Sequence, residues 1–158
     1  MLQLKNSFFP AIEDEEITDL TVGDILRIAA KEDPDKIALV ETNMECELGQ
    51  EWTYQELLQD SERLSYKLLN QFNPGDKIAV WSPNTAEWVI FEFACALSGM
   101  VLVTVNPSYQ ANELRYVLEQ SQSSALYLIQ EYRGNPMLEI AQKATEDLPN
   151  IKSIIDMD

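Results

Sequence analysis

Two short polar loops hold the residues of this sequence that are best placed to do chemistry. Ser82-Pro83-Asn84 follows one apolar run, and Asn106-Pro107-Ser108-Tyr109 follows another. If both runs are parallel strands, the loops lie at the carboxyl ends of a sheet, where their polar groups would meet a bound ligand. Turn chemistry explains the same residues, because Asn84 is placed to cap a helix with Glu87 three residues on, and proline ends strands. We adopt the structural interpretation and keep ligand contact as the alternative.

Composition excludes several kinds of catalytic site. The sequence contains no histidine, which excludes Ser-His-Asp and Cys-His catalysis within the chain and any histidine-ligated metal. The five glycines lie too far apart for a phosphate-binding loop. They are Gly23, Gly49, Gly75, Gly99 and Gly134.

The charge of the chain restricts its partners. The formal net charge is −16, from 27 acidic and 11 basic residues. Such a surface repels nucleic acid phosphates and anionic lipid headgroups, so we expect neither as a partner. It equally repels polyphosphate cofactors, so if the chain belongs to an enzyme that uses one, the residues that bind its phosphates should lie in another part of that enzyme. The acidic clusters Glu13–Glu16 and Asp33 with Asp35 lack the ligand spacing of a calcium loop, and we interpret them as solvated charge.

Cysteine use and apolar segments bear on the cellular compartment. Cys46 and Cys95 form no Cys-x-x-Cys pair, and we interpret them as reduced thiols. The stretch from Met1 to Glu16 lacks the apolar centre of a signal peptide. The run from Val89 to Val105 is interrupted by polar residues and is shorter than the roughly 20 residues that a membrane span needs. We therefore predict a cytoplasmic protein with no transmembrane segment.

The first half of the chain predicts two capped helices separated by a hairpin. Residues 1–20 read as a weakly ordered lead-in. Thr21, followed by Asp24, begins a helix that ends before Pro34, and Thr53, followed by Glu56, begins a second helix that runs to about residue 71. The runs 36–41 and around residue 52 predict paired strands. The predicted apolar face of the first helix is Ile25, Leu26, Ile28 and Ala29.

The second half predicts a parallel sheet. Residues 75–107 read as turn, strand, helix, strand and an Asn-Pro stop, which is the pattern of a βαβ unit. Strand and helix continue to alternate afterwards: helices at 111–120 and 135–147, strands at 125–129 and 151–155. Right-handed crossovers make this an α/β fold with one layered, mostly parallel sheet and helices on both of its faces.

The helix predicted from Thr85 to Leu97 is apolar on two sides. One stripe comprises Ala86, Val89, Ile90, Phe93 and Leu97, and the opposite side carries Trp88, Phe91 and Cys95. A helix that is apolar all round is usually buried all round. We infer that the early helix, a further domain or a second subunit covers Trp88 and Phe91.

Three motifs in order resemble one enzyme family. The run from Trp52 to Leu57 is similar to an aromatic-Thr-Tyr-x-Glu-Leu helix start, residues 75–88 resemble a Gly-Asp-strand-Pro-Asn segment, and residues 96–114 resemble a strand that ends in Asn-Pro before a helix. With this spacing the chain, from about Thr21 onwards, resembles the N-terminal segment of an AMP-forming acyl-CoA synthetase, an adenylate-forming enzyme. The stretch from Val103 to Leu114 resembles the medium- and long-chain fatty-acid branch.

The resemblance implies a two-step reaction in which a fatty acid carboxylate attacks ATP to give an acyl-adenylate and pyrophosphate, after which coenzyme A displaces AMP. It implies ATP, Mg²⁺ and coenzyme A as cofactors of the whole enzyme, and the rest of the polypeptide as partner. The implied phosphate loop, acidic metal ligand and mobile lysine have no counterpart here. We therefore expect no catalytic, cofactor-binding or metal-binding residue in residues 21–158, read as an N-terminal α/β subdomain, and expect the fragment to bind no cofactor and to be inactive alone.

Two other functions remain open at this point. A non-catalytic α/β interaction or dimerisation module would use the apolar side of the helix that bears Trp88 and Phe91, and would form a homodimer or complex. A small-ligand-binding domain would use the two strand-end loops, although no chemical signature supports it.

Overall fold

The computed structural model describes Pro10, residues 18–42 and residues 47–157. Most of the predicted lead-in, the acidic cluster Glu13–Glu16 and Cys46 lie outside these described residues. Within them, the helices are α1 Val22–Glu32, α2 Tyr54–Leu69, α3 Ala86–Ser98, α4 Ala111–Ser121 and α5 Met137–Thr145. The strands are β1 Ile37–Thr42, β2 Leu48–Thr53, β3 Lys77–Trp81, β4 Val101–Val105, β5 Ala125–Leu128, β6 Glu131–Tyr132, β7 Asn135–Pro136 and β8 Ser153–Asp156.

The centre of the fold is a four-stranded sheet in the order β4-β3-β5-β8, and every neighbouring pair is parallel. Ile78 of β3 pairs with Leu102 of β4 on one side and with Ala125 of β5 on the other. Each strand is followed by a helical or long connection, as parallel pairing requires. The predicted α/β fold with a parallel sheet is therefore confirmed.

The sheet is buried on both faces because β3 is apolar at every central position. Ile78 and Val80 face a cluster that contains residues of α2 and α3. Ala79 and Trp81 face the opposite cluster, which contains residues of α4 and α5. All four are fully buried. A continuous apolar run of this kind is typical of a central strand that is covered by helices on both faces.

Threonine caps begin both helices of the first half, as predicted. The Thr21 hydroxyl accepts the backbone N–H of Asp24 at 3.1 Å, and the Asp24 carboxylate accepts the N–H of Thr21 at 3.0 Å. Thr53 and Glu56 form the same reciprocal pair at 3.2 and 2.8 Å. Each box satisfies backbone donors that have no partner inside the helix.

The buried face of α1 differs from the predicted one. Leu26 is buried, but Ile25 and Ile28 are exposed. The buried side instead includes Gly23 and Ala30. A Cβ atom on Gly23 would lie 3.1 Å from Leu97 Cδ2, so α1 rests on α3 through small residues, which the reading by apolar spacing did not anticipate.

Both sides of α3 are covered, but the prediction that something other than the sheet covers the side of Trp88 and Phe91 was wrong. Phe91 is 1% exposed and its ring centroid lies 4.6 Å from that of Tyr127 in β5, so this side faces the sheet. Val89, Ile90 and Phe93 pack instead with a cluster of α1, α2 and β2 that includes Leu26 and Trp52. The early helix therefore covers the other stripe, and Phe91 is a core residue.

Two antiparallel hairpins flank the main elements. The predicted pairing of β1 with β2 is confirmed. The pairing of β6 with β7 was not predicted, and it occupies the start of the expected helix 135–147, so that α5 begins at Met137. The hairpin turns at Arg133 and Gly134, whose φ angles are 50° and 78°.

Candidate functional site

The loop after β3 is held by its own hydrogen bonds. Ser82 is buried and its hydroxyl donates to the backbone carbonyl of Pro83 at 2.9 Å. Asn84 is exposed and is not the helix cap that the sequence predicted. Thr85 takes that place, accepting the N–H of Trp88 at 3.3 Å. The prediction failed by one residue because α3 begins at Ala86, and a cap must directly precede the first helical residue.

The loop after β4 forms a turn around Asn106. The side-chain oxygen of Asn106 accepts the backbone N–H of Ser108 at 2.9 Å, and its backbone carbonyl accepts the N–H of Tyr109 at 3.0 Å. The second contact closes a turn, and the first is a local side-chain bond typical of asparagine. Gln110 follows, and its N–H donates to the Glu113 carboxylate at 3.0 Å at the start of α4.

The structure brings the two loops to the same edge of the sheet. Trp81, the last residue of β3, pairs in register with Val105, the last residue of β4. The indole Nε1 of Trp81 also donates to the carbonyl of Asn106 at 2.8 Å. Both loops therefore lie at the carboxyl ends of parallel strands, where ligands bind in open α/β sheets.

The two loops nevertheless open into different clefts. Asn84 and Thr85 line a cleft of about 400 Å³ together with residues 39–42 of β1. Pro107 and Ser108 line another of about 320 Å³ together with residues 132–135 of the β6–β7 hairpin. Neither cleft shares a lining residue with the other, so each loop would meet a ligand separately.

A third cavity of about 350 Å³ lies between α2, α3 and the sheet. Its lining is mostly apolar and includes Phe91 and Tyr127. Burial, with a smaller contribution from the nearby Cys95, raises the pKa of the Tyr127 phenol to about 12. Burial, followed by the charge of Glu92, likewise raises the pKa of the Cys95 thiol to about 12. Such a thiol stays protonated, so Cys95 is a packing residue rather than a nucleophile.

The described part of the chain offers no grouping of three or more acidic or thiol side chains that could hold a metal ion. Asp33 and Asp35 therefore have no third such ligand among residues 18–42 and 47–157. None of the helices in these ranges has the length and apolar character to cross a membrane.

The sequence reading missed the β6–β7 hairpin, which places Arg133 beside the loop after β4. The signal for it was the dipeptide Arg133-Gly134, since a two-residue loop that contains glycine is typical of a tight hairpin. Strands of two residues are too short to show an alternating pattern.

Comparison with known proteins agrees with the fold and the motifs. Residues 26–158 match the family described as AMP-binding enzyme. The chain is 33% identical over 138 residues to YngI of Bacillus subtilis, a protein provisionally named as an acyl-CoA synthetase, and 30% identical over 166 residues to the mitochondrial medium-chain acyl-CoA ligase ACSF2 of Rattus norvegicus. These alignments cover 87% and 96% of this chain but 24% and 26% of the relatives. The chain thus spans about a quarter of the length of these curated relatives.

Solved structures of related proteins have the same fold as this chain. A protein of Rhodopseudomonas palustris, provisionally named as a long-chain-fatty-acid CoA ligase, superimposes with a TM-score of 0.74 at 28% identity, over 89% of this chain and 33% of its own. The N-terminal domain of FACL13 from Mycobacterium tuberculosis shares the fold, with a TM-score of 0.76 at 21% identity, over 88% of this chain and 34% of its own. The predicted resemblance to the N-terminal segment of an AMP-forming acyl-CoA synthetase is confirmed, and the chain belongs to the family of AMP-binding enzymes.

Proposed function

We propose that this chain is the N-terminal α/β subdomain, residues 21–158, of an ATP-dependent fatty-acyl-CoA synthetase. The observation that carries the proposal is the match of residues 26–158 to the family of AMP-binding enzymes. The whole protein would join a fatty acid to coenzyme A through an acyl-adenylate, with release of pyrophosphate and then AMP.

The proposed reaction requires phosphate-binding, metal-binding and charge-stabilising groups that would lie outside this chain. Attack of a carboxylate on the α-phosphate of ATP needs cations that offset the charge developing on the phosphates, and a mobile lysine in the transition state. Mg²⁺ would be held by an acidic side chain in another part of the polypeptide. The role of the chain would be to pack against that part and to present the loops at residues 82–84 and 106–109 towards it.

The substrate would be a medium- or long-chain fatty acid. Support comes from the stretch Val103–Leu114, which resembles that branch of the family, and from relatives whose names specify medium-chain and long-chain ligases. The proposed compartment is the cytoplasm. The free, buried thiol of Cys95 accords with a reducing environment, while the name of the rat relative places that protein in mitochondria.

The observation that motivated the alternative, an interaction or dimerisation module, does not hold in the structure. The alternative required an apolar side of α3, bearing Trp88 and Phe91, that a partner would cover. Phe91 is instead fully buried against the sheet, and Trp88 is half-buried and packs against the same cluster. The opposite stripe packs against α1 and the β1–β2 hairpin within the same chain.

The test is pyrophosphate release by the polypeptide encoded by the complete reading frame, supplied with ATP, Mg²⁺, coenzyme A and fatty acids of graded length. We expect release that depends on fatty acid and is greatest with medium or long chains, and none from residues 1–158 alone. A complete polypeptide that releases no pyrophosphate with any fatty acid would contradict the proposal. Activity only with acetate or with amino acids would contradict the substrate class.

A further inference from the structure

The cavity between α2, α3 and the sheet has the size and the lining of a site for a small apolar molecule. Its volume is about 350 Å³, at the lower end of the range of about 300–1,000 Å³ that is usual for ligand sites. Its apolar lining residues are Leu64, Ile90, Phe91, Ile155 and Met157. Because an engineered apolar cavity of about 150 Å³ stays dry and binds benzene, this cavity has room for a larger molecule of the same character.

The position of the cavity is one where ligands bind in open parallel sheets. Tyr127 of β5 pairs in register with Ile155 of β8, and both residues line the cavity near the carboxyl ends of their strands. The helix that follows β3, α3, packs on one face of the sheet, whereas α5, which follows β5, packs on the other. Since β3 and β5 are neighbours, the order of the strands reverses between them, and ligands favour the carboxyl edge at such a point.

Tyr127 brings an unpartnered hydrogen-bonding group to this cavity. The residue is 7% exposed, and no hydrogen bond joins its phenol to another described residue. The side-chain oxygens that are sealed in the interior without a partner, within residues 18–42 and 47–157, are those of Ser61 and Ser153. The phenol oxygen is not among them, so it keeps accessible surface, and the cavity is the space that Tyr127 lines. Buried hydroxyl groups usually have a hydrogen-bond partner, so this one is suited to a partner that enters the cavity.

The charged groups of the lining decide the class of molecule. Glu87 and Asp156 contribute carboxylates and Lys67 a single ammonium group, so the lining is net negative in a chain whose net charge is −16. An anion would therefore be repelled. An ammonium ion offers no acceptor to the Tyr127 phenol, which keeps its proton because burial raises its pKa to about 12. An uncharged molecule that carries an oxygen acceptor meets both conditions.

We propose that this cavity binds a small, uncharged aliphatic molecule with one oxygen acceptor, such as an alcohol, a ketone or an ester, which accepts the hydrogen bond of the Tyr127 hydroxyl. The inference goes beyond the proposed function and does not depend on it, because the ligase reaction requires none of these lining groups. The site is also separate from the loops at residues 82–84 and 106–109, which contribute nothing to its lining.

The test uses three probes with the same alkyl chain, namely 1-hexanol, hexanoate and hexylammonium, and follows their binding by amide chemical shifts. Tyr127→Phe removes the hydroxyl and keeps the ring, and Tyr116→Phe makes the same change at a residue that is 65% exposed. Leu64→Phe fills part of the cavity, and Leu69→Phe enlarges a residue of the same helix that is 43% exposed and lies outside the lining.

We expect 1-hexanol to shift the amides of Tyr127 and Met157 and to bind more tightly than either ion. Tyr127→Phe should weaken its binding about fivefold, as for the loss of one hydrogen bond between uncharged groups. Leu64→Phe should abolish binding, and the two control variants should bind as wild type. No binding of 1-hexanol at millimolar concentration, equal affinity in Tyr127→Phe and wild type, or tighter binding of hexanoate or hexylammonium would overturn the inference.

The same titration on the complete polypeptide distinguishes a ligand site from a surface that another part of the polypeptide covers. We expect 1-hexanol to shift the same amides there, again more weakly in Tyr127→Phe. If 1-hexanol binds residues 1–158 but not the complete polypeptide, another segment fills the cavity and the inference is overturned.

Discussion

Trp81 and Asn106 join the ends of two neighbouring strands through one hydrogen bond of 2.8 Å from the indole Nε1 to the backbone carbonyl. Trp81 is fully buried in the core, whereas Asn106 is exposed in the loop after β4. The same Asn106 also accepts the N–H groups of Ser108 and Tyr109. The indole therefore ties that loop to the core, against which Tyr109 also packs.

Replacing Trp81 by Phe should loosen this loop. The substitution keeps an aromatic ring in the core but removes the only donor that the indole offers, and the lost hydrogen bond is worth about 1 kcal/mol. We expect faster hydrogen exchange at the amides of Ser108 and Tyr109.

Trp52→Phe is the matched control. It also removes an indole hydrogen bond, from Trp52 Nε1 to Asp60 Oδ2 at 3.2 Å, but in the cluster of α1, α2 and β2. It should leave exchange at Ser108 and Tyr109 unchanged. Equal exchange of these two amides in wild type and Trp81→Phe would show that the indole does not anchor the loop.

Phe91 should contribute to stability as a core residue rather than to an interface. Its side chain is 1% exposed and its ring contacts the tilted ring of Tyr127, so Phe91→Ala would enlarge the cavity under α3. We expect a loss of about 3–5 kcal/mol in the free energy of unfolding, measured with urea. Tyr116→Ala removes a ring that is 65% exposed and should change stability little. A Phe91→Ala chain as stable as wild type that changed only its oligomeric state would contradict the burial.

How far the sequence predicted the fold depends on whether the information was local. The apolar run of β3 and the threonine caps of α1 and α2 depend on adjacent residues, and both were confirmed. The orientation of α3 was not local, because Phe91 and Val89 lie on two equally apolar sides and only the tertiary partners distinguish them. The buried face of α1 was missed for the same reason, since Gly23 is selected by the approach of Leu97 rather than by its own hydrophobicity.

The candidate site was predicted in part. The loops at residues 82–84 and 106–109 were placed correctly at the edge of the sheet, because strand ends are marked by proline and asparagine. Their separation into two clefts was not predictable, since it depends on where β1 and the β6–β7 hairpin pack. The place of Arg133 in the cleft that Ser108 also lines was missed because it depends on the β6–β7 hairpin.

Tyr127 should make stability fall at alkaline pH. Burial raises the pKa of its phenol from 10.0 to about 12 in the folded chain, so the folded state holds the proton more tightly than the unfolded state. The resulting stabilisation is complete below pH 10 and is lost as the pH rises towards about 12. Urea unfolding over this range should show a shallower decline for Tyr127→Phe than for wild type. Tyr116→Phe, at an exposed position, should follow the wild type, and an equal slope in Tyr127→Phe would refute the assignment.

Glu56 should make stability fall at acid pH. The backbone N–H of Thr53, followed by its hydroxyl, donates to the Glu56 carboxylate and lowers its pKa below the usual 4.5. Because the folded pKa is depressed, the stabilisation is present above pH 4.5 and is lost as the pH falls through the lower folded value. Glu56→Gln retains an acceptor for the capping box but cannot ionise, so its stability should change less than that of wild type over this acid range. Glu51→Gln, an exposed change of equal charge in β2, serves as the control. The measurement is the urea midpoint of each variant at a series of decreasing pH values. If Glu56→Gln and wild type lose stability in parallel, the capping carboxylate has no role in acid stability.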